Sequence, residues 1–541
     1  MLRAMAAPSL LVLLLAAGAS ARPDAVTPTP ATVSTVFSVS GRGWGHAVGM
    51  SQYGALGFAQ HGWSYQRIIA HYFRGTQLGR APTAKVRVLL ADGRTGVRIG
   101  STQPFRVRGG QGGVHDVEPG VYTLGRGLKL AVDGKKASAV PGPLLFSAGA
   151  APLALDGRLY RGQLQLLVLD GRLRVINHVG LDPYLYGVVP REVPYRWSGE
   201  ALKAQAVVAR SYALAVRKTG PFDLYADTRS QVYGGIAAEH SETTAAVNAT
   251  AGEVVLYAGR VATTYFFSTS GGRTASVADV WPGAAPTPYL VSVPDPYDSL
   301  SPYHRWGPIA LPAGRLAKTL RARGALLDVR TALNPSGRVS TLTGVTAAGE
   351  ASTTGATVRT ALGLRSTWFR IGMLALARPA PAALVYGKRA TVTGRVRGVA
   401  GVTLQARAPR GTWQALAQVR PTADGSFAVA VAPKALTEYR LATDTVRTAA
   451  TRVAVRADVR LATPETPTEL SGRVRPVVAG VTAVLQRRAT AGWREIGRAR
   501  VDADGRFRAR LKLTPGTYRA RVAPGGGIAP GVSPPLEVVQ P

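Results

Sequence analysis

Residues 188–214 read VVPREVPYRWSGEALKAQAVVARSYAL, and no other stretch says more about the fold. The second half is built from small and apolar residues with few polar interruptions, which predicts a closely packed helix over 200–214. Ser198 stands where its hydroxyl can cap this helix, and Glu200 complements the positive end of the helix dipole. The stretch therefore predicts a buried helix at the centre of a domain.

The polar residues of this stretch are its candidates for chemistry. Glu192 lies between two prolines just ahead of the helix. Lys203 and Arg210 are two helical turns apart and share a face. Burying a charge costs several kcal/mol unless the charge is paired or used, so these side chains need a role. Either Glu192 is a functional acid, or it forms an ion pair with Lys203 or Arg210.

The pattern EVP..W..EALKAQAVVARSYAL resembles the signature of the SpoIID/LytB family of bacterial cell-wall proteins, named after stage II sporulation protein D. Well-understood members of that family cleave peptidoglycan glycan strands as lytic transglycosylases. The resemblance places the family's acid at Glu192. It also implies a partner, the glycan strands of peptidoglycan.

Other blocks resemble the same family, but their order differs. The family's GrGwGHGvGmSQyGA segment usually closes the domain, whereas the matching residues 41–76 come first here. We therefore predict a circular permutation, in which the strand at 36–40 pairs with residues 366–373, since domain termini tend to lie close together. The alternative is that 41–76 forms a separate domain. The remaining blocks keep the family order: 173–194, 200–214, 227–235, 263–281, 288–298 and 366–373.

The composition indicates a protein with an anionic partner. The chain has 541 residues, a formal net charge of +36 and no cysteine. The length allows three or four domains, and the lack of cysteine excludes disulfides and thiolate zinc sites. The charge favours wall polymers that carry phosphates or carboxylates, and no nucleic-acid partner is expected. The alternative is the compositional bias of an arginine-rich genome.

The N-terminal residues resemble an export signal. Residues 1–21 combine Arg3, a short apolar run and the small-residue site ASA, which predicts a secretory signal peptide. Residues 22–34 are rich in Pro and Thr and predict a flexible leader. No later segment is long and apolar enough for a transmembrane anchor. We therefore expect a secreted protein of the cell envelope.

The region after the leader predicts an α+β domain over 35–377, with 35–78 as the permuted segment. Residues 85–178 alternate short apolar strands with glycine-bearing turns, and Asp170-Gly171 marks a hairpin. This pattern predicts a SpoIID-like core of curved antiparallel sheet with a few helices.

The C-terminal third is a tandem repeat. Residues 390–431 recur as 468–511, with alternating strands and one tryptophan in each copy, at positions 413 and 493. The pattern predicts two all-β sandwich modules of immunoglobulin-like type, 378–457 and 458–541. Both tryptophans are predicted as core residues, the alternative being platforms for sugar stacking. The modules carry 27 Lys+Arg against 10 Asp+Glu, a net charge of +17.

The chemistry predicted for Glu192 needs a single acid. Ordinary glycosidases use two carboxylates, but no obvious partner acid lies near Glu192 in sequence. In a lytic transglycosylase the sugar's own C6 hydroxyl attacks C1, so one group serves as acid and then as base. Burial beside Pro190, Pro194, Tyr195 and Trp197 would raise its pKa towards neutrality.

The family pattern adds substrate-binding candidates and leaves two other functions open. No cofactor or metal is expected. The first alternative is a non-catalytic wall-binding protein that activates an N-acetylmuramoyl-L-alanine amidase, and the second is a structural wall protein. The predicted substrate-binding residues are Lys203, Gln205, Arg210, Gln231, Tyr233, Ser270, Gly271, Gly272, His46, Ser51 and Gln52. The alternative for Arg210 is that it only ties its helix to a neighbouring carbonyl. Ala47 replaces a glycine of the family pattern.

Overall fold

The computed structural model describes residues 32–81 and 84–539. The predicted signal peptide lies outside the described residues, as does the predicted leader except for its last three residues. The described chain is a mixed α+β protein in which strands predominate. Within these ranges no helix combines the length and apolar character needed to cross a membrane.

Up to residue 186 the described chain contains three α-helices and strands β1 to β15, with a run of strands between residues 85 and 180. The elements up to residue 80 are β1 (Thr32–Arg42), β2 (Met50–Ser51), α1 (Gln52–Gln60), α2 (Tyr65–Tyr72) and β3 (Gln77–Arg80). The following strands are β4 (Lys85–Arg94), β5 (Gly96–Ser101), β6 (Phe105–Arg108), β7 (Val114–Val117), β8 (Gly120–Gly125), β9 (Lys129–Leu130), β10 (Ser138–Ala139), β11 (Leu144–Ser147), β12 (Leu153–Leu155), β13 (Arg158–Tyr160), β14 (Gln163–Leu169) and β15 (Arg172–Gly180). The helix that follows β15 is α3 (Leu181–Tyr186).

From residue 189 onward the described chain contains α-helices α4 to α9 among further strands, and after residue 377 its regular elements are strands. Up to residue 377 the elements are α4 (Val189–Glu192), α5 (Gly199–Ala215), β16 (Leu224–Tyr225), α6 (Ser241–Ala249), β17 (Glu253–Tyr257), β18 (Arg260–Val261), β19 (Phe266–Phe267), α7 (Val277–Val280), β20 (Arg305–Pro312), α8 (Ala313–Leu320), β21 (Leu326–Leu333), β22 (Val339–Thr346), β23 (Gly349–Thr354), α9 (Gly355–Leu362) and β24 (Phe369–Ala377). The C-terminal strands are β25 (Ala383–Val385), β26 (Ala390–Arg397), β27 (Thr403–Arg407), β28 (Gln414–Gln418), β29 (Ser426–Val431), β30 (Thr437–Ala442), β31 (Thr451–Arg456), β32 (Asp458–Leu461), β33 (Glu469–Arg475), β34 (Thr482–Ala489), β35 (Gly492–Arg500), β36 (Arg506–Arg510), β37 (Gly516–Val522), β38 (Gly531–Val532) and β39 (Leu536–Val538).

Strand β1 joins the beginning of the described chain to a strand more than 300 residues later. It lies between β20 and β24 in an antiparallel sheet, with Val36 opposite Leu374 and Val39 opposite Ile371. The predicted pairing of these two segments is therefore present, although β1 is longer than the predicted strand. The permutation that led to this expectation remains a prediction.

Residues 41–76 belong to the core rather than to a separate domain. Helices α1 and α2 share one hydrophobic core with Ala204, Val207 and Val208 of α5 and with residues between 255 and 293. Strand β2 runs parallel to β19. Because the segment buries its apolar side chains against these partners, the two-domain alternative is wrong.

A seven-stranded sheet lies beneath the helices that follow it. Its strand order is β16-β4-β15-β14-β11-β6-β7, and all neighbours are antiparallel except β16 and β4. The predicted hairpin joins β14 to β15, with Asp170 and Gly171 at φ 48° and 69°. Positive φ at both turn positions is what a two-residue hairpin requires. Helices α3, α4 and α5 follow β15, so the sheet positions the segment that contains Glu192.

The first repeat shares a sheet with the core. Strand β24 pairs with β26, and β26 pairs with β29. Val36, Leu374 and Leu376 lie in the same hydrophobic cluster as the apolar residues of the first repeat. The predicted boundary at residue 378 is therefore crossed by continuous hydrogen bonding. The second repeat has a hydrophobic cluster of its own, and the immunoglobulin-like type of both modules remains a prediction.

The prediction that the two tryptophans are core residues is wrong. The guanidinium carbons of Arg407 and Arg440 lie 4.4 and 4.1 Å from the ring centroid of Trp413. The guanidinium carbon of Arg519 lies 4.2 Å from the ring centroid of Trp493. Both rings are half-buried, and neither belongs to the core clusters of the repeats. A flat ring can stack on arginine at the surface, and strand alternation alone does not exclude this. The buried aromatic residues are instead Phe427, Tyr439, Phe507 and Tyr518.

Candidate active site around Glu192

Glu192 is the last residue of a one-turn helix that two prolines delimit. Pro190 lies in the first turn of α4, where a missing N–H costs no hydrogen bond. Val193 is extended (φ −136°, ψ 150°), the conformation that a residue before Pro194 prefers. The chain then enters α5, whose N-cap residue Ser198 makes no side-chain capping bond, contrary to prediction. The carboxyl group is thus held on a short, rigid connection.

Glu192 differs from its neighbouring acids because it has no cationic partner. Over the described residues it forms no salt bridge, and its carboxylate accepts a bond of 3.4 Å from the backbone N–H of Val232. The predicted alternative of an ion pair with Lys203 or Arg210 is therefore wrong. The other five acids between 180 and 240 are all paired, as Asp182–Arg210, Glu200–Lys203, Asp223–Arg87, Asp227–Arg229 and Glu239–Arg161.

Burial raises the pKa of the Glu192 carboxyl above its usual value, and the bond from Val232 opposes this effect. Two tyrosines lie close enough to Glu192 for its negative charge to affect their pKa values. Burial raises the pKa of Tyr184 and Tyr212, and the negative charge of Glu192 contributes to both increases. The setting of the acid is therefore apolar and aromatic, as predicted. Of the predicted neighbours, Tyr195 stacks on the ring of His240, and Trp197 contacts the ring of Tyr53 edge to face.

Arg210 is a structural residue and not the substrate ligand that the sequence predicted. Its side chain is fully buried and forms an ion pair of 2.8 Å with Asp182. It also donates to the carbonyl oxygens of Glu253 and Val247. These bonds tie α5 to α3, α6 and β17, and they leave the guanidinium closed to solvent.

Replacing Arg210 by Met should lower the free energy of unfolding by about 3 kcal/mol, because it leaves Asp182 and two carbonyls without their donor. Urea unfolding measures this change. Lys203→Met is the matched control on the same helix, where loss of a partly exposed ion pair should cost less than about 1 kcal/mol. A stable Arg210→Met protein that no longer binds glycan would restore the ligand role.

Lys203 and Glu200 connect α5 to the N-terminal segment. Lys203 Nζ lies 2.8 Å from Glu200, and the other carboxylate oxygen of Glu200 accepts a bond of 2.7 Å from the backbone N–H of Tyr65. Burial alone would raise the pKa of Glu200, but Lys203 and the Tyr65 N–H together lower it. Lys203 is about one-third exposed, so its ammonium group also remains accessible to a ligand.

Gln205 is a buried amide without a partner. It is 1% exposed, and in the described structure neither its amide nitrogen nor its oxygen has a hydrogen-bond partner. An unsatisfied buried polar group costs about 1–3 kcal/mol, so this amide calls for a water molecule or a ligand. Tyr212, which senses the Glu192 charge, lies two turns further along the same face of α5.

Gln231 and Tyr233 support the loop that contacts Glu192. Gln231 bonds to the Tyr184 hydroxyl and to the carbonyl of Ala209, and the Tyr233 hydroxyl donates to Asn177. Both side chains are buried, and the intervening residue is the one whose N–H reaches Glu192. These contacts correct the predicted substrate-binding role, because the side chains position the loop instead.

Ser270 and Gly271 form a closed turn around Asp298. The Ser270 hydroxyl and the Gly271 N–H donate to one carboxylate oxygen of Asp298 at 2.8 and 2.5 Å. The other oxygen lies 2.7 Å from Nδ1 of His304. Gly272 continues the turn at φ 111°. The prediction that this turn binds substrate is corrected for Ser270 and Gly271, because an internal acid uses their donors.

The start of α1 is likewise occupied by an internal acid. Ser51 accepts a bond from the Gly54 N–H, and Gln52 is buried. A Cβ at Gly54 would lie 2.3 Å from a carboxylate oxygen of Asp295, which also accepts a bond from Tyr72. Neither predicted residue thus presents an open helix terminus to a sugar. Asp295 and Asp298 were not among the predicted site residues, although both lie in the family-like block 288–298.

Stability should decrease as the pH rises from about 4 to about 7, because burial and the nearby charge of Asp298 raise the pKa of Asp295 from 3.8 to about 7. Over this range the folded protein holds a proton that the unfolded chain has released. The free energy of unfolding therefore falls with pH until about pH 7, and above it this group adds no further slope. Asp295→Asn should remove this part of the slope in urea unfolding between pH 4 and 8. The exposed Asp444→Asn should keep it. A wild-type slope that persists in Asp295→Asn would contradict the assignment.

His46 lies among aromatic rings that come from residues 265–281. Its ring centroid is 5.9 Å from Tyr265, 5.5 Å from Phe267 and 5.3 Å from Trp281. Burial, with the charges of nearby arginines, lowers its pKa to about 4, so the imidazole is neutral at pH 7. Its Nδ1 accepts a bond from the backbone of the same loop. The loop keeps its left-handed turn at Ala47, where φ is 74°.

Two aromatic residues connect the surroundings of Glu192 and of His46. Tyr265 lies 5.8 Å from Tyr212 and 5.9 Å from His46, measured between ring centroids. Tyr212 in turn senses the charge of Glu192. The fold thus brings residues from 46, 192, 212 and 265 to one aromatic region. In the part of the chain that the structure describes, no group of three or more His, Asp or Glu side chains is arranged to hold a metal ion.

Comparison with known protein families gives a match in the region of the chain that contains Glu192. The family model SpoIID, stage II sporulation protein, matches residues 169–257, which include Glu192, α5 and the loop that contacts the acid. The chain is 29% identical over 220 residues to stage II sporulation protein D of Bacillus subtilis, covering 36% of this chain and 61% of that one.

Two further relatives match shorter segments. The amidase enhancer of Bacillus subtilis is 38% identical over 148 residues, 27% of this chain and 20% of its own. An uncharacterized protein of Brachyspira hyodysenteriae is 38% identical over 143 residues, 26% of this chain and 38% of its own. The chain thus spans from one fifth to about three fifths of the length of these relatives. The chain thus contains a match to the SpoIID family model at residues 169–257, and its similarity to these relatives covers about a quarter to a third of its length.

Proposed function

We propose that the protein is a lytic transglycosylase that cleaves peptidoglycan glycan strands, with Glu192 as its single acid and base. One observation carries the proposal: among the acids described between 180 and 240, Glu192 alone lacks a cationic partner, and its side chain is half-buried. A general acid must hold its proton near neutral pH, and burial of an unpaired carboxyl favours that state.

The proposed reaction uses no water. Protonated Glu192 donates its proton to the glycosidic oxygen as the bond to C1 breaks. The C6 hydroxyl of the same sugar then attacks C1 and returns its proton to Glu192, which leaves a 1,6-anhydro-muramyl end and regenerates the acid. An intramolecular nucleophile has a high effective concentration, so a second carboxylate is not needed.

Three of the predicted substrate-binding residues have side chains that suit glycan binding in the described structure. The amide of Gln205 has unused hydrogen-bonding capacity, Lys203 is partly exposed, and His46 borders the aromatic region shared with Tyr212. We propose that these groups bind hydroxyl, acetamido or lactyl oxygens of the glycan, and that the protein acts in the cell envelope after export.

A second candidate function rests on one relative. The similarity to a protein named amidase enhancer favours a non-catalytic activator of an N-acetylmuramoyl-L-alanine amidase. In that case Glu192 would contact glycan or amidase without transferring a proton.

One experiment separates the candidates. Purified glycan strands are incubated with the protein and analysed by mass spectrometry for 1,6-anhydro-muramyl ends, and a parallel assay follows release of peptides by a purified amidase. Anhydro ends support the transglycosylase. Faster amidase action without anhydro ends supports the activator. If neither effect is observed, the third prediction, a structural wall protein, is the one supported.

A further inference from the structure

The outer face of the second repeat carries a row of arginines. In the three-stranded sheet β32-β33-β36, Arg460 lies opposite Arg473, and Arg473 lies opposite Arg506. Arg508 follows on β36, and Arg500 of β35 borders the same open groove of about 740 Å³. All five side chains are exposed, while the alternate residues of these strands point into the module's core.

This arrangement costs stability in the unbound protein. Neighbouring strands are about 4.8 Å apart, and like charges directly opposite each other destabilise a sheet. Among the described residues, Arg473, Arg500 and Arg506 form no salt bridge. Asp502, the acid that lines the groove, accepts bonds from the backbone N–H groups of its own turn. Arg460 pairs with Asp458 and Arg508 with Glu469, so the groove keeps a positive excess from Arg473, Arg500 and Arg506, which the charge of Asp502 offsets only in part.

The first repeat lacks this row of exposed arginines, so a module of this type does not need the row in order to fold. It contains the same GRVR motif, but Arg395 donates to the carbonyl of Asp424, and Arg397 pairs with Asp328 of the core. In the adjoining strand, Ser426 and Ala428 stand where the second repeat has Arg506 and Arg508. The same motif thus serves internal bonding in one copy and faces solvent in the other.

We propose that the groove of the second repeat binds a linear polymer that carries repeated phosphate groups, such as a polyol-phosphate chain. Guanidinium groups bind phosphate through paired hydrogen bonds, and a row along and across strands matches a chain of anions rather than a single ion. Phe507, the aromatic residue that lines the groove, is 2% exposed, so the groove offers no platform for stacking bases. This favours a polymer without bases over a nucleic acid.

The test uses the full-length protein and labelled poly(glycerol phosphate), with binding measured by fluorescence anisotropy between 50 and 200 mM salt. Arg473→Gln/Arg506→Gln should weaken binding at least about tenfold and reduce the slope of log Kd against log salt by roughly 1.5, because two phosphate contacts are lost. The matched control is Arg389→Gln/Arg420→Gln, which removes the same charge from exposed positions of the first repeat and should change Kd less than about twofold.

Three outcomes would overturn the proposal: no binding of poly(glycerol phosphate), equal losses in the groove and control variants, or equal groove-dependent binding of polyglutamate. Groove-dependent binding of a single-stranded oligonucleotide that exceeds binding of poly(glycerol phosphate) would assign the groove to nucleic acid instead. A melting curve without polymer accompanies each variant. The groove variant should melt no lower than wild type, because it relieves repulsion between neighbouring arginines.

Discussion

Glu192→Gln should reduce the release of 1,6-anhydro-muramyl ends by about 10²–10⁴-fold, because glutamine keeps the shape of the side chain but cannot transfer a proton. Binding of glycan strands should persist, since the contacts assigned to Gln205, Lys203 and His46 are unchanged. Mass spectrometry of digested strands and a sedimentation assay with insoluble peptidoglycan measure the two effects separately. Unchanged release of anhydro ends would remove Glu192 from the mechanism.

The same variant has a second readout that does not depend on activity. Burial raises the pKa of Glu192, so the folded protein retains a proton that the unfolded chain gives up, and the stability of wild type decreases as the pH rises through this range. Glu192→Gln should therefore melt at the same or a higher temperature at pH 7. The exposed Glu118→Gln is the matched control and should change neither activity nor melting. Loss of activity together with a lowered melting temperature would indicate a structural role.

Deleting the residues before Gln77 should abolish cooperative unfolding of the core. The deletion removes β1 from between β20 and β24, and it uncovers Ala204, Val207 and Val208 of α5. Each large apolar side chain contributes about 1.5–3 kcal/mol through burial, and a domain is stable by only about 5–15 kcal/mol in total. Circular dichroism during heating measures the loss.

The control for this deletion removes more of the chain. A protein that lacks residues 458–541 loses the second repeat, which has its own hydrophobic cluster, and it should still melt cooperatively. Removing both repeats is a poorer control, because β24 and β26 share a sheet across residue 378. A cooperative, glycan-cleaving protein that begins at Gln77 would contradict the predicted circular permutation.

Local patterns in the sequence predicted the elements whose contacts are close in the chain. The small-residue run predicted α5, and Asp170-Gly171 predicted the turn between β14 and β15. The pairing of β1 with β24 was also predicted, but from the order of family-like blocks rather than from periodicity. Glu192 was predicted as the acid from its place in such a block, while its lack of a cation became visible only in the structure.

Partners that come from distant parts of the chain could not be predicted. Arg210 was predicted either to bind substrate or to tie its helix to a neighbouring carbonyl, and only the fold identified its partners on α3, α6 and β17. Ser270 and Gly271 looked like an open turn until the fold placed Asp298 against their donors. Periodicity shows which side chains share a face, but it does not show which groups satisfy them.

The sequence by itself determined the position of α5, the strand pattern of the repeats and the candidate acid, because these depend on residue types at short spacing. The tertiary structure alone decided which polar groups remain free. In the described structure Glu192 lacks a cation and Gln205 lacks any hydrogen-bond partner, whereas Arg210, Gln231 and Ser270 have internal partners. The arginines of the second repeat face solvent, where Arg397 of the first is paired. Hydrogen-bond satisfaction depends on groups brought within about 3 Å by folding, and only the packed chain determines that distance.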